Sequence, residues 1–379
     1  MWKLHFFFRN TLALLTEMFF LVACEDAVVY DSYGLDNVIV LEITSENLAV
    51  LNHGTYSKSK VPVAVTINGV ARDGVIAVAG ATSVDDYKKS YEIQLDEEYL
   101  EKTVVRLNAM SRDPSAMRAL LSYRVFQLSG VGTPYLAPIA VWLNGEYAGL
   151  YLLQEKYDEA YFRDMSQQPV SLYQAENSVA SMDSDVNFDV AFSVKMGDHE
   201  MVDLKYMLNA VIKYSCDGDQ DALEKYVDVP GFLNYMAVAS YIRHVDGIVN
   251  NYYLLRLDKD TRFHILPWDL DYTFFSTTDK NDVSLLQSNL LMRSLLENNE
   301  CNVMAYQRRF QMVASSANAE ILSAYVDELK EKIGPAYAAD GALASQAYTI
   351  DEYAANLKEH FLEMEQSALF DQNTALITE

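Results

Sequence analysis

The stretch from Asp246 to Asp271, DGIVNNYYLLRLDKDTRFHILPWDLD, leaves the chain few ways to fold. Tyr252 to Leu257 is apolar or aromatic apart from Arg256, and a second run returns from Arg262 to Leu266 after the turn DKDT at 258–261. Two such runs around a short polar loop predict a β-hairpin, with Pro267 ending the second strand as a ladder donor. A two- or four-residue loop gives the same register, pairing Leu257 with Arg262. That register sets Asn250 opposite Asp269, with side chains roughly 5 Å apart. An acid, a carboxamide and an acid converging at one end of a hairpin suit a divalent cation carrying a phosphate chain. Asp and Asn at strand ends also serve simply as turn residues and helix caps. Here, though, Asp246, Asn250, Asn251, Asp269 and Asp271 crowd one hairpin with no basic residue among them. A bound cation would supply the missing charge.

The rest of the chain is β-rich first and helix-rich second. VIVLEI (38–43), VPVAVTING (61–69), GVIAVAG (74–80) and SYEIQL (90–95) are short β-branched runs with Asn-Gly and Asp-Gly turns between them. Residues 113–129 predict a helix, with Asp113 as cap, Pro114 in the first turn and Gly130 at the exit. Residues 139–155 predict a hairpin about Asn144–Gly145. Residues 160–230 read as mixed, with helices near 201–214 and 219–227, and another helix covers 230–244. From 284 to 369 the pattern is helical, broken at Gly334–Pro335 and Gly341.

Five ordered segments carry a resemblance to a known family: GATS followed by KKSYEIQL (80–95), RLNAMSRDPSAMR (106–118), WLNGEYAGLYLLQEKYD (142–158), VDGIVNNYY (245–253) and FHILPWDLD (263–271). Together they resemble the spore coat protein H (CotH) kinases, atypical secreted kinases, over roughly residues 60 to 275. The resemblance implies an α+β, atypical protein-kinase-like two-lobed fold. Its β-rich lobe would cover about 37–158 and its catalytic part about 159–279, with a helical region, 280–379, packed on it. It also implies ATP, Mg or Mn, and a protein hydroxyl as acceptor.

Asp246 is the expected catalytic residue. Asn251 lies five residues beyond it, the acid-to-Asn spacing of the kinase catalytic loop, where the Asp accepts the hydroxyl proton and the Asn binds metal. The resemblance implies the same roles here, with Asp269 as second metal ligand. The hairpin register favours Asn250 opposite Asp269, whereas the spacing favours Asn251; a bulge or an odd-length turn would reconcile them, and the spacing from Asp246, the more specific signal, selects Asn251. Asp271 either binds a second ion or caps the next segment. His244, two residues before Asp246, either echoes the kinase loop histidine or fills the core. Expected phosphate contacts are Lys89, which with Lys88 follows the turn at Gly80, and Arg118. Glu155 and Lys156 end the 139–155 hairpin and stand as further nucleotide-binding candidates or as a surface ion pair. The family commonly shows Arg-Gly-Asn-Ser-Ser in the turn where this chain has Ala79-Gly80-Ala81-Thr82-Ser83, without the Arg and the Asn.

At the N-terminus, Lys3 and Arg9 precede an apolar stretch ending in LVAC at 21–24, too short to span a membrane. LVAC resembles a bacterial lipoprotein cleavage box. The expected organisation is therefore a signal peptide (1–23), Cys24 as the lipidated first residue of the mature chain, and a tether (24–36). The protein is expected on the outer face of a bacterial membrane, held there by its acyl chains. Cys216 and Cys301 are the only other cysteines, so neither a disulfide scaffold nor a Cys-built zinc site is expected. The net charge of −25 opposes nucleic-acid binding. It equally requires that local Lys, Arg or metal overcome the chain's own field before a nucleotide can bind. Two other functions suit parts of the pattern: a catalytically weak or inactive kinase-fold lipoprotein serving as a surface binding or scaffold module, and a two-carboxylate hydrolase on Asp246 and Asp269. The hydrolase leaves the five segments unexplained.

The N-terminal reading predicts that the full chain, expressed in a bacterium fed radiolabelled palmitate, incorporates label and that Cys24→Ser abolishes it. Label persisting in the variant would refute lipidation at Cys24.

Overall fold

The computed structural model describes residues 29–52, 59–80, 86–177, 179–183, 186–275 and 286–375, with side chains described as far as 366. Two compact units divide the chain, Met1–Tyr30 and Asp31–Glu379, and the described residues lie almost entirely in the second. The expected signal peptide and Cys24 fall outside the described residues. The end of the expected tether does not hang free. Leu35 is buried in the main core, Tyr33 stacks against Trp142 and Tyr147, and Asp36 pairs with Lys332 at 2.5 Å.

Seven strands of the N-terminal half close into a barrel: β1 (Val38–Glu42), β2 (Val61–Ile67), β3 (Val70–Ala79), β4 (Ser90–Tyr99), β5 (Lys102–Asn108), β6 (Leu136–Leu143) and β7 (Glu146–Gln154). Their order is β1-β2-β3-β4-β5-β7-β6, and the parallel pairing of β1 with β6 shuts it. Alternation along the strands sends Ile39, Leu41, Val63, Val65, Ile76 and Ile93 into one apolar interior. Closure leaves no free edge among the seven described strands of this sheet. The turns at Asn68–Gly69 and Asn144–Gly145 have positive φ at both residues, as type I′ hairpins require. The expected Asp73–Gly74 turn is instead the middle of β3. A Cβ on Gly74 would fall 2.4 Å from the backbone oxygen of Gln94, so the glycine serves a close strand approach rather than a reversal.

The second half is a four-stranded sheet, β11-β10-β8-β9, with helices packed on it. Strands β10 (Tyr252–Leu257) and β11 (Phe263–Pro267) form the expected hairpin. Tyr252 pairs with Pro267 and Arg256 with Phe263, the register expected from the sequence. Strands β8 (Pro169–Ala175) and β9 (Phe192–Met196) flank it within the stretch expected to be mixed. The helix expected over 113–129 begins at Arg118 and runs to Leu128. Residues ahead of it wrap around Asp113, whose carboxylate accepts the amides of Ser115 at 3.0 Å and Arg118 at 2.7 Å. It therefore caps the helix across an extra turn. The Ala319–Ala339 helix runs through Pro335, so the expected break at Gly334–Pro335 does not occur. The chain breaks at Asp340, whose side chain accepts the amides of Ala342 and Leu343. Among the described residues, one core runs from Leu35 to Met364. The C-terminal helices therefore share the core of the catalytic part, and the boundary expected near 279 falls among residues not described.

Asp340 also joins the two halves. Lys88 Nζ lies 2.7 Å from its Oδ2, the two side chains being 7% and 1% exposed, and the same oxygen accepts the Leu150 amide at 2.9 Å. Gly149 makes room for this with φ +126°; a Cβ there would stand 2.2 Å from Asp340 Oδ2. Removing one partner of such a buried pair strands the other charge. Lys88→Met is expected to lower unfolding free energy by about 3–5 kcal/mol in urea titrations, and a loss under about 1 kcal/mol would contradict this role of the pair.

Candidate active site

The Val229–Tyr241 helix delivers the chain to the site. Arg243 takes a left-handed turn with φ 54°, and His244 is fully buried beneath it. Burial lowers the pKa of His244 to about 4, leaving its ring neutral. Of the two readings of this histidine, the structure takes the core one. Its ring packs on Gly247, where a Cβ would come 2.0 Å from His244 Cδ2, so only glycine fits behind Asp246. Asp246 itself opens the single helical turn Asp246–Val249.

The hairpin ladder continues one bond beyond β10, from the Trp268 amide to the Asn251 carbonyl at 3.0 Å. No bulge intervenes. Asn251 and Asp269 instead adopt left-handed backbone, φ 54° and 56°, which Asn and Asp tolerate better than other side-chain-bearing residues. Asp246, Asn250, Asn251, Asp269 and Asp271 all line one cavity of about 760 Å³, walled on its other side by barrel residues. The amide choice therefore dissolves: both asparagines reach the hollow.

The acids there disturb one another. Burial and then the Asp269 charge raise the pKa of Asp246. Burial raises Asp269, with Arg106 pulling it back. Asp271 is pushed well above the usual carboxylate range by burial, then by Asp269, Asp113 and Asp246. Among the described residues, no three His, Cys, Asp or Glu side chains stand close enough to hold a metal ion alone. Magnesium bound with a nucleotide needs only one or two carboxylates, the rest being phosphate and water. Mutually repelling acids with an amide between them fit that demand.

The basic residues fall differently from expectation. Lys156 does line the cavity and pairs with Glu92 at 3.0 Å. Lys89 is not among the lining residues; its neighbour Lys88 is drawn into the Asp340 pair. Arg118 lies outside too. Its guanidinium sits 4.2 Å over the ring of Phe275, close to Asp113. Glu155 faces away, bound to Lys102 at 2.6 Å and to the Tyr135 amide at 3.0 Å. The cations that reach the cavity are Lys60, Arg106, Arg112, Lys156 and Lys195. Arg106 is the principal one missed. It stands opposite Glu92 on β4, 5.1 Å from the Trp268 ring. It belongs to the quoted RLNAMSRDPSAMR segment, and strand alternation there was the available signal.

The family described as CotH kinase protein matches residues 76–366. The chain belongs to the CotH kinase family. The CotH match takes in every acid and amide named above and all the cavity cations except Lys60. The inner spore coat protein H of Bacillus subtilis (strain 168) is 29% identical over 251 residues, 62% of this chain and 68% of that one. Among solved structures, the Helicobacter pylori proinflammatory kinase CtkA is similar at a TM-score of 0.37 and 9% identity, covering 73% of this chain and 90% of that one. A Shewanella oneidensis MR-1 HipA–HipB toxin–antitoxin complex with operator DNA is similar at 0.35 and 9%, covering 70% and 59%. Both scores are low, and the α+β description of this CotH chain rests on its own strands and helices.

The raised acids make a stability prediction. A carboxyl whose pKa is higher folded than unfolded favours the fold below its unfolded value, about 4 for Asp, and that contribution is lost as pH rises through the folded value. At neutral pH the cluster therefore opposes folding. Asp271→Asn should raise the melting temperature of the metal-free protein near pH 8 and change it little near pH 4. Scanning fluorimetry at both pH values checks this, and a lower melting temperature near pH 8 would contradict it.

Proposed function

We propose that this CotH protein is an ATP-dependent phosphotransferase acting outside the cytoplasm on protein hydroxyls. The barrel would be one lobe of a two-lobed, kinase-like arrangement and the sheet with its helices the other. The observation that supports it most is the meeting of Asp246, Asn251 and Asp269 on one wall of a cavity whose other wall carries Arg106 and Lys156. That combination answers the difficulty posed by a chain of net charge −25. Among the described lining residues cations and acids are equal in number, five each, but most of the cations stand on the barrel side, so the acid-bearing wall keeps its demand for a metal.

Asn251 and Asp269 would hold Mg²⁺ or Mn²⁺, with Asp271 beside them. When bound, the metal supplies charge neutralisation between the terminal phosphates. Arg106 and Lys156 hold phosphate oxygens from the barrel side. Asp246 orients the acceptor hydroxyl and takes its proton as the new O–P bond forms and the bond to the leaving nucleotide breaks. Its raised pKa suits it to that task, since a base works best when its pKa approaches the operating pH. Membrane attachment through Cys24 belongs to the same proposal. The alternative, an inactive module that binds metal and nucleotide, would keep the same acids, and phosphate transfer separates the two readings.

Asp246→Asn should lower γ-phosphate transfer to a protein acceptor at least 100-fold, while calorimetric ATP affinity in Mn²⁺ stays within a few-fold of wild type. Equal transfer by both proteins would remove Asp246 as the base. An inert wild type that still binds ATP would favour the binding module.

A further inference from the structure

The cavity's cations are unevenly placed. Lys60 stands just ahead of β2, Arg106 lies on β5, Lys156 comes two residues after β7, and Arg112 sits in the turn ahead of the Arg118–Leu128 helix. Asp246, Asp269 and Asp271 come from the opposite wall, around the sheet. Among the described lining residues, Lys195 on β9 is the one lysine or arginine of the sheet that carries those acids.

Lys195 is held in place. Its Nζ lies 3.1 Å from Glu176 Oε1, and Ser193 Oγ donates to the same oxygen. Glu176 directly follows β8. The β8–β10 register, Gln174 against Tyr253, places Glu176 level with Asn251 when continued by two residues. The pair thus stands beside the candidate metal ligands, as Lys156 and Glu92 stand on the barrel side at 3.0 Å. Lys195 is 33% and Glu176 39% exposed, and pairs that wet contribute little to stability. A lysine ammonium on a flexible stem can turn from a carboxylate to a phosphate without moving the backbone.

We propose that Lys195 binds a nucleotide phosphate beyond the α position from the acid-bearing wall, and that Glu176 is the positioning residue that keeps it at the level of Asn251. The triphosphate is then gripped from both sides, by Arg106 and Lys156 on the barrel and by Lys195 on the sheet. Without Lys195, a phosphate brought to the metal ligands meets carboxylates and amides on that wall but no cation among the described residues. This inference rests on reading the cavity as a nucleotide site.

The test is calorimetric titration of the full chain with ATP and with AMP, each in Mn²⁺. It compares wild type, Lys195→Met, Glu176→Gln and a control, Lys213→Met, which removes the same charge from an exposed lysine paired with Asp217 at 3.1 Å. Lys195→Met is expected to weaken ATP at least tenfold and AMP less than twofold. Glu176→Gln should weaken ATP by a smaller factor, and the control should match wild type. Unchanged ATP affinity in Lys195→Met, or equal losses for ATP and AMP, would overturn the assignment while leaving the nucleotide site standing. A wild type that binds neither nucleotide would remove the nucleotide reading and this inference with it.

Discussion

Repulsion among a few carboxylates organises this molecule. Asp246, Asp269 and Asp271 are half-buried beside one hairpin; Asp269 raises the pKa of both others, and Asp246 adds to the rise at Asp271. A fold does not keep such a cluster for its stability, because desolvated like charges oppose folding at neutral pH. The cluster makes sense when a cation completes it. Arg106 reaches across from the barrel toward Asp269, but one guanidinium cannot balance three acids.

The rest of the structure can be understood as what holds those acids together against their preference. The largely buried Val229–Tyr241 helix and the hairpin register fix Asp246 and Asp269 from two directions, with His244 packed under Gly247 between them. The closed barrel supplies a rigid opposing wall. The Lys88–Asp340 pair ties that wall to the C-terminal helices, whose apolar faces belong to the same core as the Val229–Tyr241 helix. The described C-terminal helices are thus part of what keeps the cavity's two sides in register with each other.

Much of this was legible in the chain because it is local. Hairpin register follows from loop length and strand pattern, and it carried Asn250 and Asp269 to their places. Asn-Gly turns announced themselves at Asn68 and Asn144, while Asp73–Gly74 imitated one, because a glycine needed for strand contact looks the same in sequence as a glycine needed for a turn. Strands β8 and β9 were missed for want of bounding turn signals around short runs. The lysine assignment failed for a different reason. Strand alternation sends Lys88 and Lys89 to opposite faces, but it does not say which of them the distant Asp340 captures, nor that Arg106, Lys156 and Lys195 converge from three separate strand regions. Long-range electrostatic partners are set by tertiary packing, and strand pattern does not carry them.

The central claim is that Asn251 and Asp269 share a cation with a nucleotide in a hollow also faced by Asp246. Crystals grown with Mn²⁺ and a non-hydrolysable ATP analogue test it most directly, through anomalous scattering at the manganese edge. The account predicts a manganese peak about 2.0–2.3 Å from an Asp269 carboxylate oxygen and from Asn251 Oδ1, with phosphate density running on toward Arg106. Manganese absent from that place, or nucleotide density lying elsewhere on the protein, would contradict it.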